Sequence, residues 1–488
     1  MHGIRQRVSV TDNSLLATSS NNFTHLSAQH PSLMEKRVGQ TPTNLTTAQL
    51  TGPRIAFLLL ACIAWIPLIF GTSLFHVSGL FKGGGAFPLS NPFSDLANHC
   101  ESSQPITAAE FHERQRRLAS TLHHLNASAF IAEPGASAHY FGNISTTAWK
   151  LSERPLLLVI TPVLVNDNQI EAKVAILTPQ FEATRAKMLP IPHDSVEYIE
   201  WPEERNPYEV AISALTIEDK VYLDESARLF IFNGFQKALS NISVAPSAPE
   251  IQELRQRKSD AEIELLKCAN EATLLAIRAV HKKMTIGMKE SEARRMMSMA
   301  LKVAGLDNGG CLTLFGENAA LPHGSGSDRV LGQSDFALFD CGGSLHGYVS
   351  DVTRTVALPK TKVPSEHQAI WSDVLSAQTV AARVAKAGAI AQDIDASARS
   401  FLNLTGRGAY FTHRLGHGIG LEGHEEPYIR GGSLDVIKIG HTFSNEPGIY
   451  IEGKVGVRLE DCFYINSDGQ SIFLTEGIGG QALSPWDP

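Results

Sequence analysis

Cysteine is scarce in this 488-residue chain, with six residues at positions 62, 100, 268, 311, 341 and 462. They are scattered singly, and Cys62 lies in an apolar run, which leaves an odd five beyond it. That pattern predicts no disulfide framework, and it excludes the paired short spacings of a zinc finger. A basic stripe is also missing. With a net charge of −8, the chain lacks the clustered Lys/Arg footprint of a nucleic-acid binder, so no nucleic-acid partner is expected. The glycine-bearing runs GSGSDR (324–329) and HGIGLEG (417–423) lack the strand, Gly-x-x-x-x-Gly-Lys-Ser/Thr loop and helix of a phosphate cradle.

Long apolar runs are absent with one exception. From 55 to 81 there is no Asp, Glu, Lys or Arg, and at ~1.5 Å per residue this is long enough to cross a bilayer core of ~30 Å. Pro67 is tolerable in such a helix. A buried soluble helix or a signal-peptide core is the bland alternative, disfavoured by the long polar tail ahead of the run. Residues 1–54 are rich in Ser, Thr, Asn and Gln and predict a disordered tail. Arg5, Arg7, Lys36, Arg37 and Arg54 precede the run and only Lys82 follows closely, which places the N-terminus in the cytoplasm. The expectation is a single transmembrane helix at 55–77, a Gly/Pro/Ser linker at 78–100, and the remainder lumenal or extracellular, or secreted if the anchor is cut. Asn126, Asn143, Asn241 and Asn403 each open an Asn-x-Ser/Thr triplet and are candidate glycosylation sites.

Residues 101–250 alternate helical and extended patterns. FHERQRRLASTLHHL places Leu118, Leu122 and Leu125 at helical spacing, while ASAFIAEPG and PLLLVITP read as buried strands. This predicts a layered α/β domain. His123 and His124 are adjacent on a helix and point different ways, which argues against a metal role. At 251 the pattern becomes helical. Ser259 and Asp260 are caps, Glu262 and Glu264 fall in the first turn, and Ile263, Leu266, Ile277 and Val280 line one apolar face. A second helix is expected from 291 to about 303, with Met296, Met297 and Met299 as core filler.

The chemistry gathers further on, where five candidate metal ligands occur in three places: Asp340 and Asp351, His417, then Glu446 and Glu460. The first pair lies in FDCGGSLHGYVSDVTRTV, read as two antiparallel strands turning at Gly342-Gly343. The second lies in FSNEPGIYIEG and VGVRLED, with Gly453-Lys454 as the turn. Between them, HRLGHGIGLEGH supplies His413, His417 and His424 in a glycine-rich, irregular segment. Four converging carboxylates repel unless a counter-charge is present. Divalent cations supply it, and carboxylates with one imidazole suit Mn²⁺, Co²⁺ or Zn²⁺. Two adjacent ions would need bridging carboxylates and would together acidify a shared water. Any one of these residues alone has an ordinary turn, loop or surface explanation.

The order Asp, Asp, His, Glu, Glu, together with GHGIGLEGHEEP, NEPGIY and VRLED, resembles the pita-bread metallopeptidases of family M24. Within that group it is most similar to the Xaa-Pro aminopeptidase and Xaa-Pro dipeptidase (prolidase) branch. The likeness is strong over 251–473 and weaker over 111–250. It implies an α/β (α+β) fold: a creatinase/prolidase-like N-terminal domain at 101–250 and a pita-bread catalytic domain at 251–488. It implies two divalent ions, Mn²⁺ foremost, with Asp340 on one, Asp351 and Glu460 bridging, and His417 and Glu446 on the other. Glu446 would also relay a proton. His323 would sit near the scissile amide and His424 on the tetrahedral intermediate, while His413 and Arg458 would bind substrate. The substrates implied are short peptides with proline second, and the assembly a homodimer. Cys341 and Cys462 depart from the expected pattern and read as inert packing. A creatinase-like hydrolase, a methionine aminopeptidase and a catalytically silent peptide-binding module are the rival readings. The intact ligand set opposes the first and third, and the domain before 251 together with Arg458 opposes the second.

Overall fold

The computed structural model describes residues 91–488 apart from 167, 168 and 240. The expected tail and membrane span, and most of the linker, lie outside the described residues. Among the described residues no helix is long and apolar enough to cross a membrane.

Thr107 accepts a hydrogen bond from the Glu110 N–H and so starts α1 (Ala108–His124), where His123 and His124 end exposed. There follow β1 (Ala127–Ala132), α2 (Ala136–Gly142), β2 (Leu157–Asn166), β3 (Gln169–Pro179), α3 (Ala183–Ala186), β4 (Val196–Trp201), α4 (Pro207–Ala214), β5 (Lys220–Leu223), α5 (Leu229–Ala238) and β6 (Val244–Pro246). The strands form one sheet in the order β4-β3-β2-β1-β5-β6. Alternation along β1 sends Phe130 and Ala132 into one core and Ala129 and Ile131 into another, so both faces of the sheet are covered.

The helical stretch beginning near 251 is two helices, α6 (Pro249–Gln256) and α7 (Asp260–His281). Ser259 and Glu262 close a reciprocal capping box at the start of α7, satisfying two N–H groups that a helix start otherwise leaves unpaired. Ile263, Leu266, Ile277 and Val280 are buried beneath it. Next come α8 (Glu290–Val303), β7 (Asp307–Phe315), β8 (Ala337–Leu345), β9 (Tyr348–Val349) and β10 (Val352–Val356), then α9 (Ser365–Val384) and α10 (Ala391–Leu404). The chain ends with β11 (Gly416–Gly418), β12 (Glu425–Ile429), β13 (Thr442–Asn445), β14 (Gly448–Ile451), β15 (Val455–Arg458), β16 (Asp461–Ile465) and β17 (Ser471–Phe473).

One sheet runs β10-β8-β7 with β9 on β8, a second runs β12-β11-β13-β16-β17, and β14 pairs with β15. α7 and α8 share a core with the first sheet, and α9 and α10 share one with the second. The sheets meet where Thr353 and Glu460 exchange backbone hydrogen bonds of 3.3 and 3.0 Å. That joint is held by a fully buried Arg354–Asp461 pair at 2.7 Å. Arg354 also donates to the Glu460 and Gly480 carbonyls, while Asp461 accepts from Gln378 and Thr475. These extra bonds are what a buried ion pair needs to offset its desolvation. The result is the mixed α/β, pita-bread arrangement.

Several local expectations are corrected. β8 runs straight through Gly342 and Gly343, and the turn lies at His346 and Gly347, with φ of 50° and 90°. Of the three methionines, Met297 is buried and Met299 is half exposed. The HRLGHGIGLEGH segment contains a short strand, β11, carrying His417. Most consequential, cysteine pairing does occur: Cys100 is bonded to Cys268, and Cys311 to Cys341, directly opposite it on β7 and β8. Cys341 is therefore a cross-strand tie beside Asp340, where inert packing was expected. Cys462 is buried and free, donating to the Asp351 carbonyl at 3.2 Å. Burial, and then the nearby Asp351 and Glu460, push its thiol well above the usual range, so it stays protonated. The Cys100–Cys268 bond spans 168 residues, and chain entropy assigns such a loop about 5 kcal/mol. Cys100→Ser is expected to lower stability by up to that amount, read by denaturant unfolding without reductant.

Candidate metal centre

The candidate ligands sit within strands or directly beside them. Asp340 is in the middle of β8, opposite Thr353 on β10. Asp351 immediately precedes β10, its N–H held at 3.2 Å by Asn270 of α7. His417 is the central residue of β11, its N–H bonded to Ser444 Oγ at 3.1 Å. Glu446 follows β13, with its N–H on the Leu415 carbonyl at 2.8 Å and its carboxylate 3.3 Å from Ser444 Oγ. Glu460 lies between β15 and β16 and accepts from Thr353 Oγ1 at 2.7 Å.

The fold brings these five together in overlapping groups. Asp340, Asp351 and Glu460 have donor atoms within 4.8 Å of one another, as do His417, Glu446 and Glu460, and also Asp351, His417 and His424. His417 Nδ1 lies 3.0 Å from the Gly418 carbonyl, which can only accept, so Nδ1 carries the hydrogen. Nε2 is then the bare nitrogen, 3.3 Å from Glu446 and 3.7 Å from Asp351. A carbonyl that fixes the tautomer in this way is the usual support of a metal-ligating histidine.

Without an ion this cluster is electrostatically uncomfortable. Burial first, then the Glu460, Asp340 and Glu446 charges, raise Asp351 well above the usual carboxylate range. Burial and neighbouring carboxylates push Glu460 up to about 8, and burial with Asp340 pushes Glu446 up to about 7. Glu460 Oε1 is buried without any hydrogen-bond partner. An orphaned carboxylate oxygen, a bare imidazole nitrogen and hard oxygen donors within one small volume fit a divalent cation.

Arg458 is 2 % exposed and donates to Asp340 at 2.7 Å, Tyr450 at 3.0 Å and Thr353 at 3.3 Å. The Tyr450 hydroxyl passes its own hydrogen to His413 Nε2 at 2.8 Å, because His413 Nδ1 donates to the Arg414 carbonyl. Both ring nitrogens of His413 are thus engaged, and burial lowers it to about 4. The resemblance implied substrate contacts for His413 and Arg458. The structure places both in a supporting chain behind Asp340. His323 and His424 are exposed instead. The His424 ring lies 4.1 Å from that of His417, centroid to centroid. Burial of its inner side, then the His417, Arg414 and His323 charges, lower it to about 4.

Sequence reasoning missed Thr353, Tyr450, Asn270, Ser444 and Arg414. Tyr450 was within reach, since it lies in NEPGIY, eight residues before Arg458 on the same hairpin.

The sequence matches the profile of metallopeptidase family M24 over residues 264–467. It is 36 % identical over 388 residues to an uncharacterized peptidase of Schizosaccharomyces pombe, covering 78 % of this chain and 84 % of that one. The chain belongs to metallopeptidase family M24. The M24 chain is accordingly a metallo-exopeptidase, a hydrolase of a family that uses divalent ions. Its fold superimposes on the prolidase of Thermococcus sibiricus with a TM-score of 0.65 at 28 % identity, covering 75 % of this chain and 96 % of that one. It superimposes on the X-Pro aminopeptidase of Thermotoga maritima with a TM-score of 0.62 at 27 % identity, covering 74 % and 97 %.

Proposed function

We propose that this M24 peptidase splits the bond between an N-terminal residue and a following proline, using two divalent ions. The observation that carries the reading is the overlap of the ligand groups. Asp351, Glu460 and His417 each belong to two of the three groups, and of these the two carboxylates, with two oxygens each, would be the residues able to hold adjacent ions together. Asp340 would complete one ion's shell, and His417 and Glu446 the other's. Mn²⁺ is the foremost candidate, with Co²⁺ or Zn²⁺ accepted by the same donors. When bound, such ions polarise a scissile carbonyl and lower the pKa of the attacking water.

The chain's own groups do the rest. Glu446, a carboxylate that would stand beside the attacking water, would take its proton and return it to the departing amine. His424, whose ring lies 4.1 Å from that of His417, and His323, both exposed, would donate to the oxygen on which charge develops, an interaction realised mainly in the transition state. His424 is neutral at physiological pH, so it meets that oxygen as an N–H donor without adding a fixed charge. Arg458, Tyr450 and His413 hold Asp340 in place. Proline in the second position is supported by the likeness to a prolidase and an X-Pro aminopeptidase.

We further propose that the catalytic part faces a secretory lumen or the outside, tethered by the 55–77 run. Two disulfides favour an oxidising compartment, and Asn126, Asn241 and Asn403 are exposed for glycosylation. Asn143 suits it less, since its side-chain amide donates to the Pro190 carbonyl at 3.1 Å. A homodimer is proposed by likeness alone.

The test strips the protein of metal, restores Mn²⁺, Co²⁺ or Zn²⁺, and offers an Xaa-Pro dipeptide, an Xaa-Pro-Xaa tripeptide, a Met-Ala peptide and creatine. Metal-restored cleavage of the proline peptides alone is expected, and the dipeptide-to-tripeptide ratio then separates dipeptidase from aminopeptidase. Turnover of Met-Ala or creatine in preference, or of nothing despite bound metal, would overturn the reading.

A further inference from the structure

The end of α6 and the start of its junction to α7, residues 255–258, grip the chain beside the site histidines. Lys258 Nζ bonds Glu425 Oε1, with both side chains 2 % exposed. The Lys258 N–H donates to the Gly440 carbonyl at 2.8 Å, and Arg257 Nε to the Ile439 carbonyl at 3.0 Å. Arg255 bonds Glu422 at 2.7 Å and lies 4.0 Å from Glu425 Oε2. That second oxygen is buried and accepts no hydrogen bond, so Lys258 and Arg255 are the charged groups that hold the carboxylate.

Glu425 directly follows His424 and stands opposite Gly418, the neighbour of His417, where the β11–β12 register shifts. Gly420 leaves room for the pair, because a Cβ there would lie 2.8 Å from both Lys258 Cε and Glu425 Oε1. A buried ion pair is weak evidence for stability, since packed apolar groups of the same volume often serve as well. What this pair does provide is a fixed position for the strand start beside both histidines.

We infer that Lys258 is a positioning residue that aims His424 at the substrate through Glu425. The inference rests on the reading of His424 as an oxyanion donor. A merely structural role and a positioning role part company when the unpaired charge is removed. Lys258→Met strands Glu425, whereas Lys258→Met with Glu425→Gln removes both charges of the pair, leaves Arg255 its bond to Glu422, and is expected to regain the thermal stability lost.

In the metal-loaded full chain, that double variant is expected to keep kcat about tenfold or more below wild type with KM little changed, the mark of lost transition-state interaction. In a His424→Ala background the Lys258 change is expected to lower kcat no further, as residues acting through one another are non-additive. Hydrogen exchange is expected to quicken at the amides of 418–425 and not elsewhere. Wild-type kcat in a stable double variant, additive losses with His424→Ala, or unchanged exchange at 418–425 would each overturn the inference. If a Lys258 variant fails to fold, Arg255→Gln perturbs the same carboxylate from a more exposed side and carries the same measurements. Failure of the wild-type chain on proline peptides would count against the proposed function only. The exchange experiment needs no substrate, so unchanged exchange at 418–425 overturns the inference whatever the outcome with proline peptides.

Discussion

Converting Asp351 to Asn or Glu460 to Gln is expected to cut kcat by ~10³-fold or more, the equivalent of about 4 kcal/mol of transition-state stabilisation. Bound metal should fall with it while the fold persists. Each change removes an anionic oxygen from two ligand groups at once, which no single change at Asp340 or Glu446 does. Each also preserves volume. The Gln amide oxygen at 460 can still accept the Thr353 hydroxyl that now reaches Glu460 at 2.7 Å, so the joint between the sheets keeps its bond. Stripped of metal, either variant should be no less stable than stripped wild type, because a buried carboxylate without a counter-charge has been replaced by a neutral amide. Metal analysis beside kcat decides the matter. Full activity with unchanged metal content in either variant would remove the two-ion assignment.

The second large effect concerns pH. In the ion-free site Glu446 is raised to about 7 and Glu460 to about 8, and Asp351 is raised well above its ordinary value. A carboxyl whose folded pKa lies above its unfolded one holds its proton longer in the folded chain. Its contribution to stability is complete below the unfolded pKa and is lost as pH rises through the folded one. His413 and His424, lowered to about 4, act with the opposite sign: their contribution is present above the ordinary histidine pKa and lost as pH falls. Between pH 6.5 and 8 those histidines are almost fully deprotonated when folded and finish titrating when unfolded, so the remaining fall belongs to the carboxyls. The stripped protein is expected to lose up to about 1.4 kcal/mol per pH unit for each carboxyl still protonated in the folded state. The metal-loaded protein should not follow, because the ions hold the ionised form and their affinity grows with pH. Melting temperatures of stripped and loaded protein across this range test it. A stripped protein as stable at pH 8 as at pH 6.5 would show that the carboxylates are not confined together.

The ligands were legible because their chemistry restricts them to a few residue types, each in a local frame of strand and turn signals. Helix α7 was legible for a similar reason. Its capping box and apolar face depend on residues three, four and seven apart, and Ser259, Glu262, Ile263 and Leu266 carry that signal locally. The misplaced turn marks where local reasoning ends. Gly342-Gly343 has turn composition, yet β8 continues through it because Cys311 and Gly310 on β7 pair with Cys341 and Gly342. The bend falls instead at His346-Gly347.

Cysteine pairing illustrates the same division more sharply. Six scattered cysteines look unpaired in one dimension, and only the packing of the segment at Cys100 on α7 brings it to Cys268. The supporting groups were out of reach for a related reason. Thr353 meets Glu460 across 107 residues, and Lys258 meets Glu425 across 167. Thr and Lys are common enough that nothing in their own neighbourhoods singles them out.

By itself, then, the sequence determined which atoms are available for chemistry and in what order, since carboxylates and imidazoles must be encoded residue by residue. The tertiary structure alone decided which of them face one another, which histidine nitrogen is bare, and which buried charges are left waiting for a counter-ion. Those properties depend on distances and desolvation, and both arise only when strands far apart in the chain are laid side by side.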